Sequence, residues 1–190
     1  VTLFMVTFFA AAALGFVYDF TKEAIELSKM KAQSEAIEKV LPEFENLGES
    51  LKIAAESEED SVEIFPAYEG DKLVGYAVKT FTNNGFSGYI SIMAGIDNSG
   101  NFTGYQVLEH EETPGLGSKM ETWFKSEEKP SQSVIGKNPE SYQFEVKKDG
   151  GDIDAITAST ITSRAFLDAL VRAYNAYEEK GEQITGPAGK

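Results

Sequence analysis

The stretch YISIMAGIDNSGNFTGYQVL, residues 89–108, sets the fold class. Two runs rich in β-branched and aromatic residues, Tyr89 to Ile96 and Phe102 to Leu108, flank Asp97-Asn98-Ser99-Gly100-Asn101, a segment of turn-favouring residues. Strand-length apolar runs on either side of such a turn predict an antiparallel hairpin. A second hairpin pattern precedes it: Val62 to Tyr68, the turn Glu69-Gly70-Asp71-Lys72, then Leu73 to Thr80. One more strand is expected near Tyr142 to Val146. Helix periodicity occurs at Ser118 to Ser126 and more strongly from about Thr160 to Glu179, where Leu167, Leu170, Val171, Tyr174 and Tyr177 recur at helix spacing. Hairpins followed by helices, without an alternating strand-helix order, give the α+β class: an antiparallel sheet with flanking helices.

Outward from this body lies an N-terminal segment of a different kind. Val1 to Tyr18 (VTLFMVTFFAAAALGFVY) carries no charge, and at helical rise it spans roughly 27 Å, near the hydrocarbon thickness of a bilayer. It predicts one transmembrane helix. A secretory signal is the weaker reading, because its apolar core is usually shorter and follows a basic region. With no basic N-terminal residues, charge leaves the orientation open. Thr21 to Leu41 reads as a helix continuing outward, with Pro42 as its stop, and Glu43 to Asp60 reads as an acidic loop. The expected layout is an anchor at 1–18, a helical connector and acidic loop at 19–60, and a folded domain at 61–190.

Composition narrows the function. The 190 residues hold 17 Lys+Arg against 31 Asp+Glu, a net charge of −14, with 42% hydrophobic residues. That apolar content suffices for a sizeable core, and nucleic acid is excluded as a partner because no basic cluster is present to hold phosphates. Zero Cys rules out disulfides, iron–sulfur ligation and thiol nucleophiles, and a single His, His110, rules out a His-rich metal site. Neither a nucleophile-base arrangement nor a G-x-G-x-x-G fingerprint is visible. Redox chemistry in such a chain has to be borrowed from an organic cofactor.

Three segments could carry that chemistry. Thr157-Ala158-Ser159-Thr160-Ile161-Thr162-Ser163 places five hydroxyls in seven residues just before the last helix. Hydroxyl donors, small residues and the free N–H groups of a helix start suit an anion such as phosphate, although Ser and Thr also cluster there simply as caps. His110-Glu111-Glu112-Thr113-Pro114-Gly115-Leu116-Gly117 turns at Pro114-Gly115 and offers permissive backbone beside an apolar Leu116; a plain strand-to-helix turn reads the same way. Gly85-Phe86-Ser87-Gly88-Tyr89-Ile90 suggests either close backbone contact or a strand entry.

Taken in order, Gly85-Phe86-x-Gly88-Tyr89-Ile90, His110-x-Glu112-Thr113-Pro114-Gly115-Leu116-Gly117 and Asp154-x-x-Thr157-Ala158-Ser159-Thr160 resemble the FMN-binding domain shared by the G subunit of the Rnf complex and the C subunit of the sodium-pumping NADH:quinone oxidoreductase. The likeness runs from the membrane helix to the last helix, and the short chain is more similar to the Rnf branch. The family pattern is Asp-x-x-Ser/Thr-Gly-Ala-Thr, and its final Thr accepts FMN through a phosphoester made by a separate flavin transferase. The matching residue here is Thr160, with Ala158 where Gly is usual and Ser159 where Ala is usual.

The resemblance implies an electron-transfer subunit with covalent FMN, active only as a redox part of a translocase that moves electrons between reduced ferredoxin and NAD⁺ and couples this to Na⁺ or H⁺ transport. It implies no catalytic residue and no metal in this chain. Its partners would be the other Rnf subunits, the flavin transferase and membrane lipid, with the domain on the extracytoplasmic side of the inner membrane. The residues implied at the flavin are Thr157, Ala158, Ser159, Thr160, Thr162 and Ser163 near the phosphate. Glu112, Thr113, Gly115, Leu116 and Gly117 would line the ring, with Gly85 and Gly88 close by. The competing readings are a C-type subunit of a sodium-translocating NADH:quinone oxidoreductase, a noncatalytic membrane-anchored assembly or binding module in which the hydroxyl run is only a cap, and, as the weakest, a free-standing flavin reductase.

Overall fold

The structure, a computed structural model, describes residues 1–53 and 61–180. It divides into two compact units, Val1–Glu35 and Ala36–Lys190. The first is the bulk of helix α1 (Thr2–Val40), whose residues 2–20 are exposed throughout. Exposed Phe4, Phe8, Phe9, Phe16 and Phe20 have no protein core to enter. Among the described residues this is the one helix long and apolar enough to cross a membrane.

The second unit is an antiparallel sheet packed on both faces. Its elements are β1 (Asn46–Leu47), β2 (Leu51–Ile53), β3 (Val62–Glu69), β4 (Lys72–Thr82), β5 (Ile90–Ile96) and β6 (Phe102–His110). A single helical turn at Gly117–Lys119 leads into α2 (Met120–Trp123), and α3 (Thr160–Lys180) closes the chain that is described. The strand order is β1-β3-β4-β5-β6, with β2 also on the free edge of β3. Both expected hairpins form, β3 to β4 and β5 to β6.

Why both faces are buried follows from alternation. Ile64, Tyr76, Val78, Ile92, Ala94 and Ile96 point to one side, where Phe124, Phe166, Leu170 and Ala173 complete the main core. Phe65, Ala67, Ala77 and Met93 point to the other, against Ala36, Ile37 and Val40 from the last turn of α1 and Leu41 after it. Central β5 is therefore buried at every residue. The Thr80 hydroxyl donates to the Ala169 carbonyl at 3.1 Å and pins α3 to β4.

Three expectations are corrected. The segment from Glu43, expected as loop, contains β1 and β2, because Leu47, Leu51 and Ile53 bring exposed backbone to an open strand edge that needs partners; residues 54–60 of that expected loop lie outside the described residues, as do 181–190 of the expected domain. Tyr142 to Val146 is not a strand. Phe144 and Val146 are buried in alternation, yet the backbone bonds of this stretch go to turns, Asp152 N–H to Gln143 carbonyl and Lys147 N–H to Ile153 carbonyl, leaving only one isolated bridge from Val146 to Ile153. The helix expected from Ser118 to Ser126 shrinks to the turn plus α2.

The end of α1 sits so close to the sheet that there is no room for β-carbons beneath it. A Cβ on Gly95 would overlap the Val40 carbonyl, and one on Gly104 would lie 3.1 Å from Val40 Cα. The Thr103 hydroxyl donates to that same carbonyl at 2.5 Å. Gly95→Val is expected to destabilise the protein by about 2–3 kcal/mol through overpacking, read from urea unfolding, while Gly15→Val on open helix surface leaves the midpoint unchanged.

Candidate functional site

The three motifs singled out in the sequence meet at one buried carboxyl group, that of Glu112. Strand β6 ends at His110 and delivers Glu112 to the interior two residues later, although its neighbours Glu111 and Thr113 are exposed. The Thr162 hydroxyl, from the first turn of α3, donates to Glu112 Oε2 at 2.8 Å. The Ser87 N–H, from the loop between β4 and β5, donates to Oε1 at 3.2 Å. Two glycines press on the same oxygens. A Cβ on Gly85 would lie 2.7 Å from Oε1, and one on Gly117 would overlap Oε2 and stand 2.9 Å from the Thr162 hydroxyl. Gly85 and Gly88 exchange backbone hydrogen bonds at 3.0 and 3.2 Å, which fixes the tight loop that presents Ser87.

The Glu112 backbone is held as well. Its N–H donates to His110 Nδ1 at 3.1 Å, so His110 carries its proton on Nε2 and donates to Glu121 Oε1 at 3.1 Å. His110 thus orients the turn instead of standing over a ligand. Thr113 and Gly115 belong to the exposed turn, with the Gly115 N–H donating to the Ser118 hydroxyl at 2.9 Å.

At the start of α3 the five hydroxyls divide into two groups. Ser163 accepts from the Ile156 N–H and donates to the Ser159 carbonyl, both at 2.9 Å. With Thr162 bound to Glu112, these two side chains are fully committed and buried. The hydroxyls of Thr157, Ser159 and Thr160 have no hydrogen-bond partner among the described residues. Ser159 is buried as the helix cap, its carbonyl taking the Ser163 N–H at 3.0 Å. Thr160, the first helical residue, is partly exposed, and Thr157 is exposed. The N–H groups that open α3 have no intrahelical acceptor, as at any helix start.

Ala158 has φ of +64°, the one non-glycine residue with positive φ among those described. This left-handed conformation lets the chain reverse from the 154–157 segment into the helix, and it explains a preference for Gly at this position by sterics alone. Asp154 anchors the other end of the segment. Its carboxylate pairs with Lys147 at 2.8 Å and takes a short bond from the Ser131 hydroxyl, and the Lys147 ammonium followed by the Ser131 hydroxyl holds it below the usual carboxylate range.

Three exposed residues, two of them absent from the expected set, rim the hub. Outside α1, the large apolar side chains exposed among the described residues are Phe86, Leu116 and Ile161, at 67%, 42% and 47%. Each is the direct neighbour of a group packed on Glu112: Ser87, Gly117 and Thr162. Exposed apolar side chains in the segments that meet at a buried polar hub are candidates for contact with a ligand. Phe86 and Ile161, the two not expected, could have been found in sequence as single apolar residues inside polar, glycine-rich or hydroxyl-rich runs.

A model of the FMN-binding domain matches residues 85–175, the span that holds all three motifs. The chain is 34% identical to the G subunit of the ion-translocating oxidoreductase complex of Vibrio vulnificus (strain YJ016), with 93% of this chain and 88% of the relative covered. Against the G subunit of the same complex from Salmonella typhi the identity is 34%, covering 87% and 84%; against that from Aliivibrio fischeri (strain MJ11) it is 31%, covering 92% and 87%.

Two substitutions test this geometry. Glu112→Ala strands the Thr162 hydroxyl and the Ser87 N–H and is expected to cost about 2–3 kcal/mol, read from chemical denaturation. Ala158→Gly removes the left-handed penalty and is expected to raise stability by about 0.5–1 kcal/mol, seen as a higher thermal midpoint.

Proposed function

The chain belongs to the family of G subunits of ion-translocating oxidoreductase complexes, and from that premise we propose that it is an electron-transfer subunit carrying FMN esterified to Thr160. The observation that carries this reading is the state of Thr160: of the hydroxyls at the α3 start, it is partly exposed, unpartnered and on the first helical residue, while Thr162 and Ser163 are consumed in holding the site. Thr160 Oγ1 would hold the phosphate at the start of α3, where the free N–H groups and the positive end of the helix dipole would offset its charge. Thr157, also exposed and unpartnered, is the side chain available to donate a further hydrogen bond.

The residues fit the flavin. FMN supplies one- and two-electron transfer when bound, and the chain's part is binding, orientation and water exclusion. Phe86, Leu116 and Ile161 provide apolar surface for a flat ring, and the turn at Thr113 to Gly117 provides backbone polar groups beside it. Glu112 touches none of this chemistry directly; it fixes the mutual positions of the three segments that do. Gly85 and Gly117 contribute by leaving room for its carboxyl group.

Residues 1–18 act as the membrane anchor, and the flavin domain lies on the extracytoplasmic side. Covalent attachment prevents loss of the cofactor by dilution there, and anchoring keeps the relay at high local concentration beside the other subunits of an Rnf-type complex. The ester is installed by a flavin transferase, and the ion path belongs to partner subunits, since the apolar segment has no ionisable side chain before Tyr18 at its end. Alone, the subunit turns over no substrate.

Thr160→Ala, produced together with the transferase, is expected to give a folded, colourless protein whose denatured gel band has lost all flavin fluorescence. Fluorescence retained in the band would refute Thr160 as the acceptor and direct attention to Ser159, because buried Thr162 already donates to Glu112.

A further inference from the structure

A concavity of about 560 Å³ lies between β6, the segment after α2 and the last turn of α1, and it shares no residue with the Glu112 cluster. Its walls carry Lys39, Lys125 and Lys137 against a single carboxylate, Glu127. This inverts the balance of a chain with 31 acidic and 17 basic residues. None of the three lysines has a carboxylate partner within ion-pair distance among the described residues. Two rest on aromatic faces instead, Lys125 Nζ at 4.3 Å from the Tyr105 ring centre and Lys137 Nζ at 3.9 Å from that of Tyr142. Lys137 also donates to the Pro130 carbonyl at 2.5 Å.

Lys125 is half-buried, and that burial lowers its pKa; Glu121 opposes the shift and the nearby Lys39 charge adds to it. Ammonium groups lining one concave site without carboxylate partners, with Lys39 and Lys125 repelling each other, favour an anion between them. Neutral donors stand ready too. Ser126 and Ser133 each accept a backbone N–H at 3.2 Å, from Lys129 and Ile135, which leaves their hydroxyl protons free to donate.

We propose that this groove binds a small, multiply charged oxyanion of the phosphate-ester or polycarboxylate class, held by Lys39 and Lys125 with Lys137 at its margin. The volume matches that of small-ligand sites. A compact anion reaches a half-buried ammonium in a concavity, whereas a flat acidic protein face does not. Occupancy neutralises the lysine cluster and joins the last turn of α1 to the segment after α2.

The test is titration calorimetry of the full chain in detergent with inorganic phosphate and with citrate, against chloride of equal ionic strength. Saturable one-to-one binding is expected with a Kd on the order of 1 mM or tighter, in flavin-loaded protein and in Thr160→Ala alike. Lys125→Gln is expected to weaken it roughly tenfold or more, Lys125→Arg to preserve it, and Lys72→Gln at the start of β4 to leave it unchanged. Should Lys125→Gln fail to fold, Lys39→Gln carries the same expectation. Absence of saturable heat from both anions, or equal losses in Lys72→Gln and the groove variants, overturns the proposal without touching the flavin assignment.

Discussion

A carboxyl group buried among three loops is the constraint on which the site depends. Glu112 is 4% exposed, and a polar group taken that far from water is tolerated only when its oxygens are bonded. Its donors come from residues 25 positions upstream and 50 positions downstream, Ser87 and Thr162. The bonding requirement thus acts as a long-range registration device. Neither the Gly85 loop, the turn after β6 nor the start of α3 can move independently without orphaning a buried group.

The sheet serves this arrangement by being covered twice. With β5 buried along its whole length, β6 is fixed in register and delivers His110 and then Glu112 to a defined place. On one face α3 is pinned through Thr80 and the aromatic packing of Phe124 on Phe166, ring centres 4.5 Å apart. On the other, the last turn of α1 is seated on glycines of β5 and β6. The helix that the hydroxyl run opens and the strand that leads into Glu112 are consequently parts of one packed body.

Hydroxyls placed close in sequence have acquired unlike tasks. Ser163 and Thr162 face inward on α3 and close hydrogen bonds that hold the segment; Thr160 and Thr157 face the solvent side and remain open. Helical geometry separates those on α3, since neighbours in sequence lie about 100° apart around the axis. The strained Ala158 just ahead of them, with its positive φ, lies where the chain makes a sharp reversal into α3.

Sequence alone determined the local and periodic features: the two hairpins, the last helix from Thr160, the apolar N-terminal helix, and the family to which the three motifs point. Each is set by nearest neighbours, by turn-favouring residues or by a repeat of 2 or 3.6, and each is readable without a partner. The short strands β1 and β2, and the irregular course of Tyr142 to Val146, were decided elsewhere, because backbone bonds there depend on what the rest of the sheet leaves unpaired. The same holds for the burial of Glu112, an acidic residue whose bonding partners are invisible in sequence, and for Lys39 beside Lys125, which lie far apart along the chain. Charge and hydroxyl chemistry are written in the residue types; which of those groups is buried, which is bonded and which is left free is fixed only when distant segments close on one another.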